Sequence, residues 1–221
     1  MIHPNKFLLI AIQISSVVRI DSKSGITVNN IFIYNKIGTM KMNQALLIID
    51  LQNDYFEGGA NPLPGAEEAA RNAALLLNRF RTASLPVIHV KHISIRPGST
   101  FFLPGSKGAE IHDTVRPVEG EPIVTKHFPN SFRETDLLDE LKAMEINNLV
   151  VCGMMTHVCV DSTVRAAKDF GFEIILAGDA CATKSLEIHG EKIAAGEVHN
   201  SFLAAMNYFY TKVMKTEEIG I

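Results

Sequence analysis

An acid, an amine and a thiol fall at matching points of three apolar runs. Asp50 closes "ALLIID", Lys126 ends "PIVTK", and Cys159 follows "NLVVCGM" by five residues. If those runs are strands of one sheet, all three side chains reach its carboxyl edge, where open α/β sheets bind their ligands. With Thr156 as N-cap, His157, Val158 and Cys159 occupy the first turn of the next helix. Backbone N–H groups there lack helical partners, and the helix dipole favours a thiolate. A nearby Lys126 lowers the thiol pKa further, the N–H groups can receive an oxyanion, and Asp50 can carry a proton to a leaving amine. The chemistry so described is acyl transfer through a thioester, with a carboxylate as the base.

Taken singly, each residue has a structural reading. Aspartate is common in the turn after a strand. A lysine at a strand end reaches solvent along its apolar stem. A cysteine on an apolar helix face is core filler. Their joint placement favours chemistry, and Cys152, inside "NLVVCGM", fits the filler role instead.

The positioning elements alternate. Short apolar runs at 45–50, 85–93, 122–128, 148–154 and 172–181 read as strands buried on both faces. Helical patterns lie at 65–83, 133–146, 157–170 and within 190–210, and 212–219 reads as an edge strand. The first helix opens on Glu67 and Glu68 and closes on Arg79 and Arg81, the charge order its dipole favours. This order predicts a three-layer α/β/α domain with a largely parallel open sheet and helices on both faces. A long connection at 94–121, rich in glycine and proline, marks a binding loop.

A net charge of −3 over 221 residues, with no run of like charges, argues against nucleic-acid or membrane partners. Three cysteines without framework spacing suit free thiols in a reducing cytoplasm. The apolar run at 7–18 is too short to span a membrane. It also lacks the charged flank and small-residue cleavage site of a secretory signal. Residues 1–39 read as a peripheral extension or as a stretch outside the native protein, and residues 40–221 as one domain.

The segments "LLIIDLQNDYF" (46–56), "PIVTKHFPNSF" (122–132) and "VVCGMMTHVCVDSTVRAAKDFGFEIILAGDACAT" (150–183) resemble the isochorismatase-like cysteine hydrolases. The resemblance implies a catalytic triad of Cys159, Lys126 and Asp50, a cis peptide between Met154 and Met155, and an oxyanion hole from the backbone N–H groups of Met155 and Cys159. It also implies a homo-oligomer, a dimer or larger. Phe56, Phe132, Gln52 and the Phe101–Phe102 pair are candidates for the pocket of a small-molecule substrate, and Gln52 and Asp54 for orienting the site.

Nicotinamidases of this family bind a metal through an Asp-x-His pattern that this chain lacks. His89 and His92, three apart on one strand, face opposite ways and make a poor ligand pair. The expectation is therefore a cofactor-free, metal-free enzyme. Its thiol favours cleaving the C–N bond of an amide, ureido or lactam substrate. The alternatives are a vinyl-ether hydrolase of the isochorismatase type, using Asp50 as acid, and a non-catalytic binding protein on the same fold.

Overall fold

The computed structural model describes residues 43–221, which lie within one compact unit; the extension expected over 1–39 falls outside them. The first strand, β1 (Gln44–Ile49), is buried along its whole length. Its period of two divides the apolar residues between two cores: Leu46 and Ile48 face one, Ala45, Leu47 and Ile49 the other. The next strands are β2 (Val87–His92), β3 (Ile123–Lys126), β4 (Asn148–Met154) and β5 (Glu173–Ala182). They join β1 in a six-stranded sheet that ends in the short β8 (Lys212–Met214). The order is β3-β2-β1-β4-β5-β8, every pairing is parallel, and the order reverses between β1 and β4.

Helix α1 (Ala66–Thr82) covers one face. Its buried residues Ala66, Ala69, Ala70, Ala73, Leu76, Leu77 and Phe80 recur at helical spacing and pack on Leu46, Ile48 and Val150. The opposite face is covered by α2 (Leu137–Ala143), α3 (Asp161–Asp169) and α4 (Ala195–Phe209) through Leu137, Leu141, Val164, Ala167 and Met206. This is the expected three-layer α/β/α arrangement.

Two boundaries and one element differ from the sequence expectation. The α2 helix is half the length expected over 133–146, because Glu134 takes a left-handed φ of 56° and the Thr135 hydroxyl donates to the Ser131 carbonyl at 2.6 Å. Strand β8 stops at Met214, because the Asp179 carboxylate accepts from the backbone N–H (2.8 Å) and hydroxyl (2.9 Å) of Thr216 and starts a turn there. Between β5 and α4 an unanticipated hairpin forms from β6 (Leu186–Ile188) and β7 (Glu191–Ile193). It turns through His189 and Gly190, both at positive φ.

One glycine matters to the site. At Gly153, φ is +131° and a Cβ would lie 2.0 Å from the Ile49 carbonyl oxygen. Only a residue without a side chain lets the ends of β1 and β4 approach so closely.

Candidate active site

Asp50 follows β1 with a positive φ of 51°, a conformation aspartate tolerates better than most residues. Its N–H bonds the Val90 carbonyl at 3.0 Å, holding it at the sheet edge. On β3 the alternation is visible in burial: Ile123 and Thr125 are exposed, while Val124 and Lys126 point inward. Lys126 is therefore wholly buried, although it ends an edge strand.

Its three ammonium protons meet three acceptors. Nζ lies 2.6 Å from Asp50 Oδ2, 3.2 Å from Cys159 Sγ and 3.2 Å from His92 Nδ1. Lysine only donates, so Nδ1 of His92 accepts and the ring proton sits on Nε2. Burial, then the neighbouring ammonium, pushes His92 down to about 4, leaving the ring neutral near pH 7. Burial acts to lower the Lys126 pKa, but Asp50 and Cys159 outweigh it and raise it. The expectations for Asp50, Lys126 and Cys159 thus meet in one buried cluster, to which the structure adds His92.

The thiol's setting departs from the expected capped helix start. Thr156–Val160 form a π-helical turn in which the N–H groups of Val158 and Val160 both bond the Met155 carbonyl, at 3.1 and 3.2 Å. Thr156 does not cap it. Its hydroxyl lies 3.2 Å from the Ala182 carbonyl and 2.9 Å from His199 Nδ1, tying the turn to β5 and α4. The Met154–Met155 peptide is cis, as the resemblance implied. The Cys159 pKa is raised, not lowered: burial and then the Asp50 charge push the thiol up against the pull of Lys126. The helix-start argument treated the thiol as solvated, whereas Cys159 is only 5% exposed. It rests as a thiol beside a buried ion pair.

Cys159 opens onto a cavity of about 740 Å³; Asp50 and Lys126 stand behind it. Tyr55, Phe101, Phe102 and Phe128 contribute aromatic wall, Met155 and Val158 flank the thiol, and residues 94–100 form the rim. Of the pocket candidates, Phe101 and Phe102 line it and three do not. Phe56 is buried and stacks on His112 with ring centroids 3.7 Å apart. Phe132 is in the other core, against Phe170 and Phe172.

Gln52 is a fully buried clamp. Its Nε2 donates to the carbonyls of His92 and Ala109, both at 2.8 Å, and its Oε1 accepts from the His92 N–H at 2.8 Å. Asp54 works similarly, accepting from the N–H groups of Ala60 (3.0 Å) and Phe102 (2.6 Å). Gln52 and Asp54 thus join the β1 turn to the long segment at 93–122, which carries the cavity wall.

His89 and His92 do face opposite ways. His89 is buried and bonds Glu121 at 2.8 Å, far from the thiol in role, while His92 lines the cavity. Strand alternation separates the two histidines, and the pairing of β2 with β3, which sets His92 opposite Lys126, brings it to the site. Among the described residues, Asp50, His92 and Cys159 have ligand atoms within 4.8 Å of one another, the spacing of a metal's ligand set. The Lys126 ammonium already contacts all three, so the cluster holds a fixed organic cation and does not suit a second, metallic one.

The model of the isochorismatase domain matches residues 44–218. The isochorismatase family protein YddQ of Bacillus subtilis is 48% identical over 176 residues, covering 80% of this chain and 98% of that one. Among solved structures, an isochorismatase hydrolase from Oleispira antarctica superposes with a TM-score of 0.78 at 48% identity, over 81% of this chain and 97% of that one. N-carbamoylsarcosine amidase from Thermoplasma acidophilum superposes with a TM-score of 0.70 at 25% identity, over 81% of this chain and 100% of that one. The chain belongs to the isochorismatase family and is a hydrolase.

Proposed function

We propose that this enzyme hydrolyses a C–N bond of a small amide, ureido or lactam substrate through a thioester on Cys159. The observation that carries the reading is the chain of contacts from thiol to ammonium to carboxylate, with Cys159 alone of the three on the cavity. The amidase among the structural neighbours supports the same reaction type.

The cycle begins with a substrate carbonyl against Sγ. An Asp50 oxygen lies within 4.8 Å of the thiol, and the same carboxylate holds the Lys126 ion pair. Asp50 takes the thiol proton as Sγ attacks, and the ammonium of Lys126 balances the charge that moves from oxygen to sulfur. The backbone N–H groups of Met155 and Cys159 receive the oxyanion. Collapse expels the amine, which takes the proton from Asp50. Water then attacks the thioester with Asp50 as base again, releasing the acid and restoring the thiol. Substrate and water balance the cycle, with no cofactor in any step.

We further propose a cytoplasmic enzyme, in keeping with three free thiols. No helix of the described residues is long and apolar enough to cross a membrane. Small molecules are the proposed partners, with neither nucleic acid nor membrane. A homo-oligomer is proposed as well, and Tyr208 and Phe209, exposed on α4, suit a contact between copies.

The test is a hydrolysis screen over small amides, ureido acids and lactams beside Cys159→Ala. The variant should fold normally and turn over none of the substrates. Full activity in Cys159→Ala with loss in Asp50→Ala overturns the thioester and favours vinyl-ether hydrolysis, which needs the acid alone.

A further inference from the structure

The cavity is much larger than an amide group needs, so its walls bear on the remainder of the substrate. Four aromatic rings dominate them, and no aspartate or glutamate is among the lining residues. A substrate ammonium would therefore meet no carboxylate there. His92 is neutral, pushed down to about 4 by burial and Lys126, and His127 spends Nδ1 on the Ile93 carbonyl at 2.8 Å. The one lining side chain with a permanent charge is Arg96, on the rim.

Arg96 is held in place by its backbone and free at its head. The N–H and hydroxyl of Ser99 both donate to the Arg96 carbonyl, at 3.2 and 2.8 Å. Ser99 is itself bonded to the Ser94 hydroxyl at 2.5 Å. Elsewhere Arg81 is paired with Glu121, Arg116 with Asp113 and Arg165 with Asp161. The Arg96 guanidinium has no hydrogen bond or ion pair among the described residues. A fixed rim position, an unpaired cation and acid-free aromatic walls together describe a receptor for an apolar body with an anionic end.

We propose that Arg96 binds an anionic group, a carboxylate above all, at the end of the substrate remote from its scissile amide. The carboxylate binds as a planar partner of the guanidinium fork, while the aromatic walls take the ring or chain between the two ends. The assignment of the scissile bond rests on the amide-hydrolase reading; the charge preference does not.

Three primary amides of one phenylalkanoic acid test this, differing only in a para group: carboxylate, hydroxymethyl or aminomethyl. The full chain should favour the carboxylate in KM by about threefold over the neutral probe, the scale of a bidentate pair at an exposed guanidinium. Arg96→Gln should remove that preference by raising KM for the carboxylate probe alone. Arg96→Glu should turn the preference to the aminomethyl probe, and Arg116→Gln, which is not among the lining residues, should change nothing. Raising the salt should shrink the wild-type preference.

Equal constants for the three probes, or an equal loss for all of them in Arg96→Gln, overturns the proposal. Calorimetric binding to Cys159→Ala gives the same ranking without turnover. A preserved ranking with no hydrolysis by wild type sinks the amide reading and leaves Arg96 its role. No ranking in binding, or no binding of the carboxylate probe, sinks the role of Arg96 itself.

Discussion

Lys126 donates to His92 as well as to Asp50, with Nζ 3.2 Å from Nδ1 and 2.6 Å from Oδ2. The ring and the carboxylate hold the ammonium from two sides, so it faces the thiol along its third N–H. The arrangement makes His92 a positioning residue, one that acts on the reaction through Lys126.

Replacing His92 by Gln should lower kcat while the enzyme still folds. It should also flatten the acid side of the stability curve. The folded ring titrates near 4, below the ordinary value of 6.5. Between those limits the unfolded chain binds more protons, so stability is full above about pH 6.5 and falls as pH drops toward 4. The effect is at most about 3 kcal/mol. Urea denaturation at several pH values, wild type against His92→Gln, measures it; identical slopes count against a buried neutral ring.

The ion pair of Asp50 and Lys126 is wholly buried on both sides. Lys126→Met leaves a buried carboxylate without its partner and should cost about 3–5 kcal/mol. Adding Asp50→Asn removes that isolated charge, so the double variant should recover part of the loss. Denaturant midpoints for the two singles and the double give the coupling.

The thiol's protonation has a counter-intuitive consequence. Asp50 raises the Cys159 pKa and Lys126 opposes it. Asp50→Asn should thus make Cys159 label faster with iodoacetamide at neutral pH while abolishing turnover, because the thiolate fraction grows as the base is lost. Peptide mapping separates Cys159 from the buried Cys152 and Cys181. Slower labelling in Asp50→Asn contradicts the charge assignment.

Gly153→Ala should destabilise the fold by about 2–4 kcal/mol, through a left-side φ and a clash with the Ile49 carbonyl. Gly196→Ala, whose added Cβ meets nothing within 4 Å, is the matched control. Thermal melts of the two variants provide the comparison.

Much of the sheet was legible because each strand is a local apolar run and each face of β1 alternates. Asp50, Lys126 and Cys159 were legible as strand-end residues for the same reason. What escaped was long-range. His92 looks like an ordinary strand residue until β2 is seen beside β3, in register with Lys126. Phe56 and Phe132 were nominated by proximity in sequence, but each turns into a neighbouring core. The direction of the Cys159 pKa depended on burial, which the helix-start pattern does not encode. The truncated α2 and β8 were set by side-chain bonds, one that Thr135 donates and two that Asp179 accepts.

The Gln52 clamp fastens the cavity-bearing segment at His92, where it leaves the sheet, and again at Ala109. Between those fixed points, residues 94–100 shape the rim without supplying any of the buried charges. Substitutions there can retune which molecules enter while the proton-transfer apparatus stays as it is. A lineage could therefore trade substrates by rewriting a few rim positions, leaving the reaction itself inherited unchanged.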